Sequence, residues 1–534
     1  MSSASTSGQH ASLSHPPSDL IAGKFVVPVS GAVVESLNPA RPGTVVWSGR
    51  GDVAHVDAAI AAARRALPTW SRLGFEKRAA VLKRFKQSAD AKVDAITNLI
   101  RDETGKVQWD SKAEAQLLGA KVDITLDSGE LGAMRRVTGY ELDLAATRKG
   151  RAWFRPHGVM AVVGPFNFPA HLPNGHIIPA LAMGNTVVLK PSDKTPGVGQ
   201  LLGELYQEAL HAEGLTGPEF AGVVNVVQGG VDVAKKLVGH ADLDGILFTG
   251  SWPVGRAIMQ ANLDHPGRIL ALEMGGNNAA VILADADIKQ AVIECVRCAF
   301  ITSGQRCTCT RRVIVHEAVA ERVIRAICKS ASNLIIGDPS ATHPVFMGPV
   351  ISRASRDAIL QAQEQFLRAG AQALVKAAAI ENPAPTGDAS GPGHYVSPGV
   401  LQVDRFVSSD APGYAGADVE VFGPLLRISI AKSLDDAIEQ ANATRYGLAA
   451  SIFTKDQAAI ERFLGEARAG CVNVNTGTAG ASSKLPFGGL GFSGNHRPAG
   501  AFSLDYCAYP VAGMLERGEA ATVSPGMRVD DSWL

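Results

Sequence analysis

Short apolar runs, separated by amphipathic stretches, recur along the chain from residue 159 onward. The first four cover Val159–Val163, Thr186–Leu189, Val223–Val227 and Ile246–Phe248, with glycine and proline between them. An apolar run without polar alternation is typical of a strand that is buried on both faces. The alternation of such runs with helical patterns therefore predicts βαβ units and a parallel sheet covered by helices on both sides.

A second series of the same kind follows the first. Its pattern predicts strands at Ala279–Leu283 and Arg312–His316, and helices across Ile288–Phe300 and from about Ala318. We therefore predict an α/β fold with two parallel-sheet, Rossmann-like domains and a boundary near residue 272.

Two helices are predicted before the first sheet. One runs from Val53 to Leu67, with Asp52 as its N-cap and Pro68 as its end. The other carries an apolar stripe whose members are three or four residues apart, as expected for one helical face. The stripe consists of Leu82, Phe85, Ala89, Val93, Ile96 and Ile100.

Several segments lack these patterns. Residues 1–20 are rich in serine and histidine and predict a disordered tail, so that ordered sequence begins near Leu20. The stretch Gly370–Gly399 predicts a surface connection, and residues 513–534 a loose C-terminal tail. Gly139–Arg155 alternates polar and apolar residues and predicts an extended hairpin.

Composition narrows the class of protein. The chain has 534 residues, which predicts two or three domains, and Lys plus Arg equals Asp plus Glu at 51 each. That balance gives no reason to expect nucleic acid or an anionic membrane as a partner. An odd cysteine count of seven argues for a reducing compartment. With no signal peptide or membrane span in the sequence, we expect a cytoplasmic protein.

The candidate nucleophile is Cys307, which follows a turn formed by Ser303–Arg306. Polar residues follow it, so the cysteine does not belong to a continuous apolar strand. Its backbone N–H is then able to face a substrate oxygen. Cys309, two residues further on, would point the same way in an extended segment.

A zinc site is the alternative for these thiols. Cys295, Cys298, Cys307 and Cys309 fall within fifteen residues. However, the first two lie in a predicted apolar helix, and neither pair has the turn residues of a zinc knuckle. We therefore expect no metal.

Two further positions suit acyl transfer through sulfur. Asn167 lies in the turn Pro165–Pro169, where its uncharged N–H is able to face an oxygen that becomes negative. Glu273 precedes a Gly-Gly pair that leaves the acid room to move. A carboxylate there is able to activate water for release of the acyl group.

The dinucleotide signal is indirect. The only G-x-G-x-x-G match, Gly489–Gly494, is followed by no helix and is interpreted as a coincidence. Phe248–Ser251 instead leads from a strand into the helix Trp252–Gln260, whose start is suited to binding phosphate.

Together these segments resemble the aldehyde dehydrogenase superfamily over roughly residues 21–512. The matching motifs are Pro165–Pro169 with Phe166 in the position of tryptophan, Phe248–Ser251, Glu273–Gly276 and Glu420–Pro424. The resemblance implies that Cys307 is the nucleophile, Glu273 the general base and Asn167 the oxyanion donor.

The resemblance also implies NAD as cofactor. Lys190 and Asp193 would bind the adenosine ribose, Ser251 the pyrophosphate, and Glu420 the nicotinamide ribose. Asp193 replaces the usual glutamate, and its carboxylate would disfavour a 2′-phosphate. The full set of implied cofactor residues is Lys190, Asp193, Gly250, Ser251, Gly255, Glu420 and Phe422.

Three parts are implied for the chain. An NAD-binding domain would comprise residues 21–130 and 151–272, and a catalytic domain residues 273–470. A small β arm from residues 131–150 and 485–512 would join a neighbouring subunit. A homodimer or homotetramer follows from the resemblance alone.

Within the superfamily the chain is most similar to the members that oxidise N-succinylglutamate 5-semialdehyde. The supporting segments are Gly164–Pro179, Glu273–Asn278, Gly304–Arg312, Ser493–Pro498 and Asp505–Pro510.

That substrate carries two carboxylates, so its pocket needs cationic or polar anchors. The candidates are His171, Arg306, His496 and Arg497. Three alternatives remain: another anionic or aliphatic semialdehyde, a cofactor-independent thiol hydrolase that pairs Cys307 with a histidine, and a non-catalytic relative.

Overall fold

The computed structural model describes residues 10–381, 393–518 and 523–533. Its helices are α1 (Ala54–Arg72), α2 (Phe75–Ala91), α3 (Val93–Thr104), α4 (Gln108–Leu126), α5 (His171–Ala182), α6 (Pro196–Ala212), α7 (Val231–Val238), α8 (Trp252–Ala261), α9 (Ile288–Phe300), α10 (Ala320–Ser332), α11 (Arg353–Arg368), α12 (Leu434–Asn442) and α13 (Gln457–Glu466). Its first strands are β1 (Asp19–Ile21), β2 (Lys24–Val26), β3 (Ala32–Asn38), β4 (Arg41–Gly51), β5 (Tyr140–Asp143), β6 (Arg148–Pro156), β7 (Val159–Val163), β8 (Thr186–Lys190), β9 (Val224–Val226), β10 (Gly245–Thr249) and β11 (Ile269–Glu273). The remaining strands are β12 (Asn278–Ile282), β13 (Thr310–His316), β14 (Gln372–Val375), β15 (Ala379–Ile380), β16 (Tyr395–Val396), β17 (Gly399–Gln402), β18 (Leu425–Ala431), β19 (Ala449–Phe453), β20 (Cys471–Val474), β21 (Pro486–Phe487), β22 (Ala499–Gly500) and β23 (Ala508–Glu516).

Two seven-stranded sheets form the body of the protein. The first has the order β11-β10-β7-β8-β9-β1-β2, and the second β14-β17-β18-β13-β12-β19-β20. Strands β7 to β11 are parallel to one another, as are β12, β13 and β17 to β20. The predicted α/β architecture with two parallel sheets is confirmed, and the chain passes from one sheet to the other between Glu273 and Asn278.

Alternate residues of the central strands pack against helices on opposite faces. In β7, Val159 and Ala161 join a cluster with α1, α7 and α8, whereas Met160 and Val162 join the cluster of α2 to α6. The second sheet is covered in the same way, by α9 and α10 on one face and α11 to α13 on the other. Burial on both faces explains why the strands are continuous apolar runs.

The strand order reverses between β7 and β10 in the first sheet. Chain turns after the carboxyl ends of these neighbouring parallel strands open a crevice, which is the usual ligand site of an open α/β sheet. Residues 164–167 and 250–251 lie there. The turn that carries Cys307 precedes β13 of the second sheet and faces this crevice, so both sheets contribute to one site.

The predicted helix boundaries need correction. Pro68 does not end α1, which continues to Arg72 because Trp70 in its last turn is fully buried. The N-cap position is Val53 rather than the predicted Asp52, although Asp52 Oδ1 accepts the N–H of Ala54, the first helical residue, at 2.9 Å. The apolar stripe predicted as one helix belongs to two, α2 and α3, which meet at Lys92 with both apolar faces on the same core.

The predicted disordered tail is wrong for residues 10–20. Leu13 is buried, and the carboxylate of Glu204 accepts the backbone N–H groups of Ser14 and His15. Strand β1 then pairs with β9. A polar segment is ordered here because buried acceptors on α6 bind its backbone. Residues 1–9 lie outside the described residues.

Two other segments also contain more structure than predicted. The stretch 370–399 contributes β14 to β16 and the start of β17, although residues 382–392 lie outside the described residues. The C-terminal tail predicted to be loose from residue 513 continues in β23 to Glu516, whereas residues 519–522 and 534 lie outside the described residues.

The predicted β arm is a three-stranded antiparallel sheet with the order β23-β6-β5. The segment 485–507, which we assigned to the arm, instead packs beside Glu273 through hydrogen bonds described below. The role of the arm in joining subunits stays a prediction.

Candidate active site

A left-handed turn precedes Cys307. Thr302, Ser303 and Gly304 have φ angles of 53°, 53° and 71°. A Cβ added at Gly304 would collide with the backbone of Gly423, so the position needs glycine for space as well as for backbone angle. Two successive non-glycine residues in this region mark backbone strain of the kind that accumulates at functional sites.

The carbonyl groups around the nucleophile are bound to the second sheet. The Asn278 Nδ2 amide donates to the carbonyl oxygens of Cys307 at 2.7 Å and Cys309 at 2.8 Å. A Cβ at Gly276 would lie 2.8 Å from the Cys307 carbonyl oxygen, so the glycine pair after Glu273 lets the two segments pack directly. The turn that carries Cys307 is therefore held both by Asn278 and by the glycine pair that follows Glu273.

Cys307 lies where two cavities meet. The first cavity, of about 440 Å³, is bordered by the cofactor motifs predicted from the sequence. The second, of about 390 Å³, is bordered by Glu273, His171 and Arg306. Cys307 borders both, so its thiol is reachable from two directions.

The surroundings of the half-buried Cys307 favour its protonated thiol over the thiolate. Burial of the sulfur raises its pKa well above the ordinary range, and the carboxyl groups of Glu273 and Glu420 raise it further. The Thr308 N–H, which donates to the sulfur, offsets only part of this shift.

The other three cysteines of the zinc alternative are buried and do not border either cavity. Cys309 directs its Sγ toward the Ile301 carbonyl oxygen at 3.9 Å, away from the direction predicted for an extended segment, because the chain turns here. Cys295 and Cys298 lie in α9. Within the described ranges, no group of three or more His, Cys, Asp or Glu side chains is placed to bind a metal.

Asn167 reaches the nucleophile turn from the first sheet. The buried side chain donates from Nδ2 to the Gln305 carbonyl oxygen at 3.0 Å, and it borders the same cavity as Cys307. One amide hydrogen is thereby engaged, and the other is left to donate to a ligand.

Glu273 ends β11 and is buried with both carboxyl oxygens lacking a partner among the described side chains and backbone groups. Burial raises its pKa well above the ordinary range, and the charge of Arg497 opposes this only in part. A buried carboxyl without partners is costly in a folded protein, which favours a chemical rather than a structural role.

The G-x-G-x-x-G segment braces the backbone around Glu273. Ser493 accepts the Met274 N–H through its carbonyl at 2.9 Å and donates from Oγ to the Gly275 carbonyl at 2.6 Å. Asn495 accepts the Leu272 N–H at 2.8 Å. Gly494 lies so close to the Leu272 carbonyl that a side chain would collide. The segment does not border the first cavity, which agrees with the interpretation of its G-x-G-x-x-G match as a coincidence.

Several of the predicted cofactor residues lie at or just after the carboxyl ends of β8 and β10. Lys190 is buried, donates to the Pro191 carbonyl at 2.6 Å, and has its pKa lowered to about 8 by burial. Asp193 is half-buried beside it. Ser251 precedes α8, whose free N–H groups favour a phosphate. Gly250 also borders the cavity; Gly255 does not, but its missing side chain lets α8 pack on Met274.

Glu420 and Phe422 border the first cavity at the end nearer Cys307. Glu420 accepts the Gly276 N–H at 3.0 Å and lies against Gly275, and burial raises its pKa. The rings of Phe422 and Phe166 meet edge-on at 5.9 Å between centroids. This gives the cavity an apolar wall beside the thiol.

Only two of the four predicted substrate residues border the second cavity. His171 and Arg306 do, whereas His496 and Arg497, which have φ angles of 55° and 51°, border neither cavity. Arg497 instead donates to the Gly489 carbonyl at 2.7 Å.

Sequence reasoning missed two lysines of this cavity. Lys121 on α4 is buried and donates to the Gly500 carbonyl at 2.8 Å and the Ser503 hydroxyl at 2.9 Å. Burial lowers its pKa to about 8. Lys484 lies exposed on the rim beside Ser482 and Ser483. The only sequence signal was a polar Ser-Ser-Lys run that nothing in the sequence tied to Cys307.

The histidines near Cys307 do not form a catalytic pair with it. Nδ1 of His176 lies 2.8 Å from the Tyr506 hydroxyl and Nε2 lies 3.1 Å from the Thr249 hydroxyl. Burial lowers the pKa of His171 to about 3. No histidine of the described chain hydrogen-bonds to the Cys307 sulfur, which leaves the thiol hydrolase alternative without its base.

The raised pKa of Cys307 predicts the pH dependence of its alkylation. Because the reactive thiolate is the minor form at neutral pH, the rate of iodoacetamide reaction at Cys307 should rise about tenfold per pH unit between about pH 7 and pH 9. Peptide mass spectrometry would follow modification of Cys307 separately from that of the other cysteines. A rate that has already levelled off at pH 7 would contradict the buried, protonated thiol.

Known proteins are similar to this chain over nearly its whole length. The model of the aldehyde dehydrogenase family matches residues 25–510. N-succinylglutamate 5-semialdehyde dehydrogenase 1 of Caulobacter vibrioides is 43% identical over 464 residues, which cover 87% of this chain and 92% of that protein.

Two solved structures are similar as well. HpcC from Thermus thermophilus has a TM-score of 0.87 at 29% identity, covering 96% of this chain and 95% of the other. PnpE in complex with nicotinamide adenine dinucleotide has a TM-score of 0.85 at 29% identity, covering 96% of this chain and 99% of the other. This chain belongs to the aldehyde dehydrogenase family, and it is an oxidoreductase.

Proposed function

We propose that this protein oxidises N-succinylglutamate 5-semialdehyde to N-succinylglutamate with NAD, through a thioester on Cys307. The observation that carries this proposal is the position of Cys307 between two cavities. One is suited to a dinucleotide, and the other contains the acid Glu273 and several cations. A thiol hydrolase would need only one such cavity.

In the first step the Cys307 thiol loses its proton to solvent water, and the resulting thiolate adds to the aldehyde carbon. The new C–S bond makes the carbonyl oxygen negative, and preorganised N–H donors stabilise that charge. The Asn167 side chain is one donor, held in place by its hydrogen bond to the Gln305 carbonyl. The backbone N–H of Cys307 is the other.

The residues of the first cavity fit a nicotinamide dinucleotide. Lys190, Asp193, the residues at the N-terminus of α8 and Phe422 all border this cavity together with Cys307. A bound nicotinamide would accept hydride from the carbon attached to Cys307, which leaves a thioester. Because Cys307 borders the first cavity, the carbon attached to its sulfur would lie next to the cofactor site.

Glu273 then acts as a general base toward water. Deprotonated Glu273 removes a proton from water, the water oxygen forms a bond to the thioester carbon, and the C–S bond breaks to release the carboxylic acid. The raised pKa of the buried carboxyl makes it a stronger base than an exposed glutamate. It borders the second cavity together with Cys307.

Replacing Glu273 by Gln should separate the two halves of the reaction. Acylation does not need the base, so we expect a burst of about one NADH per site, followed by steady turnover at least about 100-fold slower. Rapid mixing with absorbance detection of NADH measures both phases. Cys307→Ala should show neither phase, and undiminished steady turnover of Glu273→Gln would contradict the assigned role.

The preference for NAD rests on Asp193. Its half-buried carboxylate borders the first cavity beside Lys190, where it would repel the 2′-phosphate of NADP. PnpE, which is similar in fold, was solved with NAD.

We expect kcat/KM to be at least about tenfold higher with NAD than with NADP, because like charges at close range disfavour binding. Asp193→Ser should narrow that ratio, whereas Asp94→Ser, an exposed carboxylate on α3, should leave it unchanged. An equal preference in the unaltered enzyme would contradict the proposal.

The substrate assignment rests on the second cavity and on the name of the relative from Caulobacter vibrioides. The cavity contains Lys121, Arg306 and Lys484, and Asp110 compensates the charge of Arg306 alone. A net positive cavity suits a substrate that has two carboxylates besides its aldehyde. The neutral His171 and the serines of the rim add hydrogen-bonding groups.

Lys484→Ala tests this charge match. We expect KM for N-succinylglutamate 5-semialdehyde to rise at least about tenfold, since a charge-assisted hydrogen bond is lost, while kcat/KM for butanal stays within about twofold. Lys455→Ala, at an exposed position after β19, is the matched control. A better kcat/KM for butanal than for the dicarboxylic semialdehyde would instead support the alternative of an aliphatic semialdehyde substrate.

A further inference from the structure

A cluster of buried charges at the start of α4 contacts the segments that carry both oxyanion donors. Asp110 and Glu114 are four residues apart and share one face of α4, and Lys106 lies two residues before the helix begins at Gln108. The side chains of Lys106 and Glu114 are only 1% and 0% exposed, and that of Asp110 is 2% exposed. Burying charges is costly unless they are fully paired, so their partners indicate what the cluster holds in place.

Glu114 binds the segment that carries Asn167. Its Oε1 accepts the backbone N–H groups of Ala170 at 2.9 Å and His171 at 3.1 Å. These groups lie at the start of α5, where N–H donors have no partner within the helix. Fixing them fixes the end of the short loop that begins at Asn167.

Lys106 contacts both Glu114 and the segment that carries Asn167. Its Nζ lies 2.6 Å from Glu114 Oε2 and 3.3 Å from the centre of the Phe168 ring. Phe168 directly follows Asn167 in the chain. The ion pair with Glu114 and the cation–π contact with Phe168 thus stabilise the segment that directly follows Asn167.

Asp110 binds the nucleophile turn. Its Oδ2 accepts the Thr302 hydroxyl at 2.6 Å, and its Oδ1 lies 2.6 Å from Arg306 Nη2. Thr302 is the first left-handed residue of the turn, and Arg306 directly precedes Cys307. Gln305, whose carbonyl accepts from Asn167, lies between these two anchors.

We propose that Asp110 and Glu114 are positioning residues that hold the Asn167 amide and the Cys307 N–H at the correct separation for a tetrahedral oxyanion. The proposal rests on the proposed function for the identity of the two donors. The helix α4 is the common frame: one carboxylate fixes the loop from the first sheet, and the other fixes the turn that leads into the second sheet. Neither carboxylate borders either cavity, so each acts through the residues that it binds.

Two reactions of the Cys307 thiol distinguish the proposed positioning role from a general loss of structure. Acylation of Cys307 by p-nitrophenyl acetate forms a C–S bond through an oxyanion and releases p-nitrophenolate. Alkylation by iodoacetamide forms a C–S bond and releases iodide without any oxyanion. The ratio of the two first-turnover rates therefore reports oxyanion stabilisation and cancels changes in thiol ionisation or access. Neither reaction needs the dinucleotide or the aldehyde.

The matched pair of variants is Lys106→Met/Glu114→Gln and Lys106→Met/Glu114→Leu. Both remove the buried charges, but only glutamine keeps an oxygen that accepts from Ala170 and His171. We expect the ratio of acylation to alkylation to stay within about threefold of wild type for the glutamine variant and to fall at least about tenfold for the leucine variant. Thermal unfolding would show that the two variants are comparably folded.

Asp110→Asn should lower the same ratio at least about fivefold, because one anchor of the turn loses its charge. Asp123→Asn is the control, since Asp123 lies on the same helix and pairs with Lys86 at the surface. Equal ratios in the two Glu114 variants, or an unchanged ratio in Asp110→Asn, would overturn the proposal. Acylation that persists in Cys307→Ala would instead overturn the proposed function, so the two failures are distinguishable.

Discussion

The left-handed turn at Thr302, Ser303 and Gly304 is the constraint on which the rest of the site depends. It carries the chain from the end of α9 across the edge of the second sheet and presents Cys307 to both cavities. Backbone in this region costs on the order of 1 kcal/mol or more for each non-glycine residue. The turn therefore exists only because surrounding contacts determine it.

Those contacts come from three directions. Thr302 donates to Asp110 on α4, Ser303 donates to the Gly348 carbonyl at 2.7 Å, and Gln305 accepts the Ile351 N–H at 3.0 Å. Asn278 holds the chain after the turn. Because both sheets and α4 contribute, a displacement of any one of them would move the thiol relative to Asn167 or Glu273. The fold and the chemistry are thus coupled through a few hydrogen bonds.

The electrostatics of the site follow from the same burial. The pKa values of Cys307, Glu273 and Glu420 are all raised, chiefly by burial. Burial thus favours the protonated form of each of these three neighbouring groups, which avoids repulsion between buried anions.

Local patterns in the sequence were sufficient to predict the two sheets. Continuous apolar runs predicted the buried strands, and the turn before Cys307 led to this residue as the proposed nucleophile. Features set by distant contacts were missed: Pro68 inside α1, the ordered segment 10–20, and the packing of residues 489–497 beside Glu273. The cluster at the start of α4 was missed for the same reason, since Asp110 and Glu114 have the spacing of an ordinary helix face and their partners lie about 60 to 190 residues away.

The most direct test of the account is the identity of the covalent adduct. Glu273→Gln, mixed with N-succinylglutamate 5-semialdehyde and NAD and quenched in acid, should yield a Cys307 peptide whose mass is increased by the N-succinylglutamyl group. Omission of NAD should prevent this adduct. An unmodified Cys307 peptide, or the same acyl group on another cysteine, would contradict the claim that this thiol accepts the aldehyde between the two cavities.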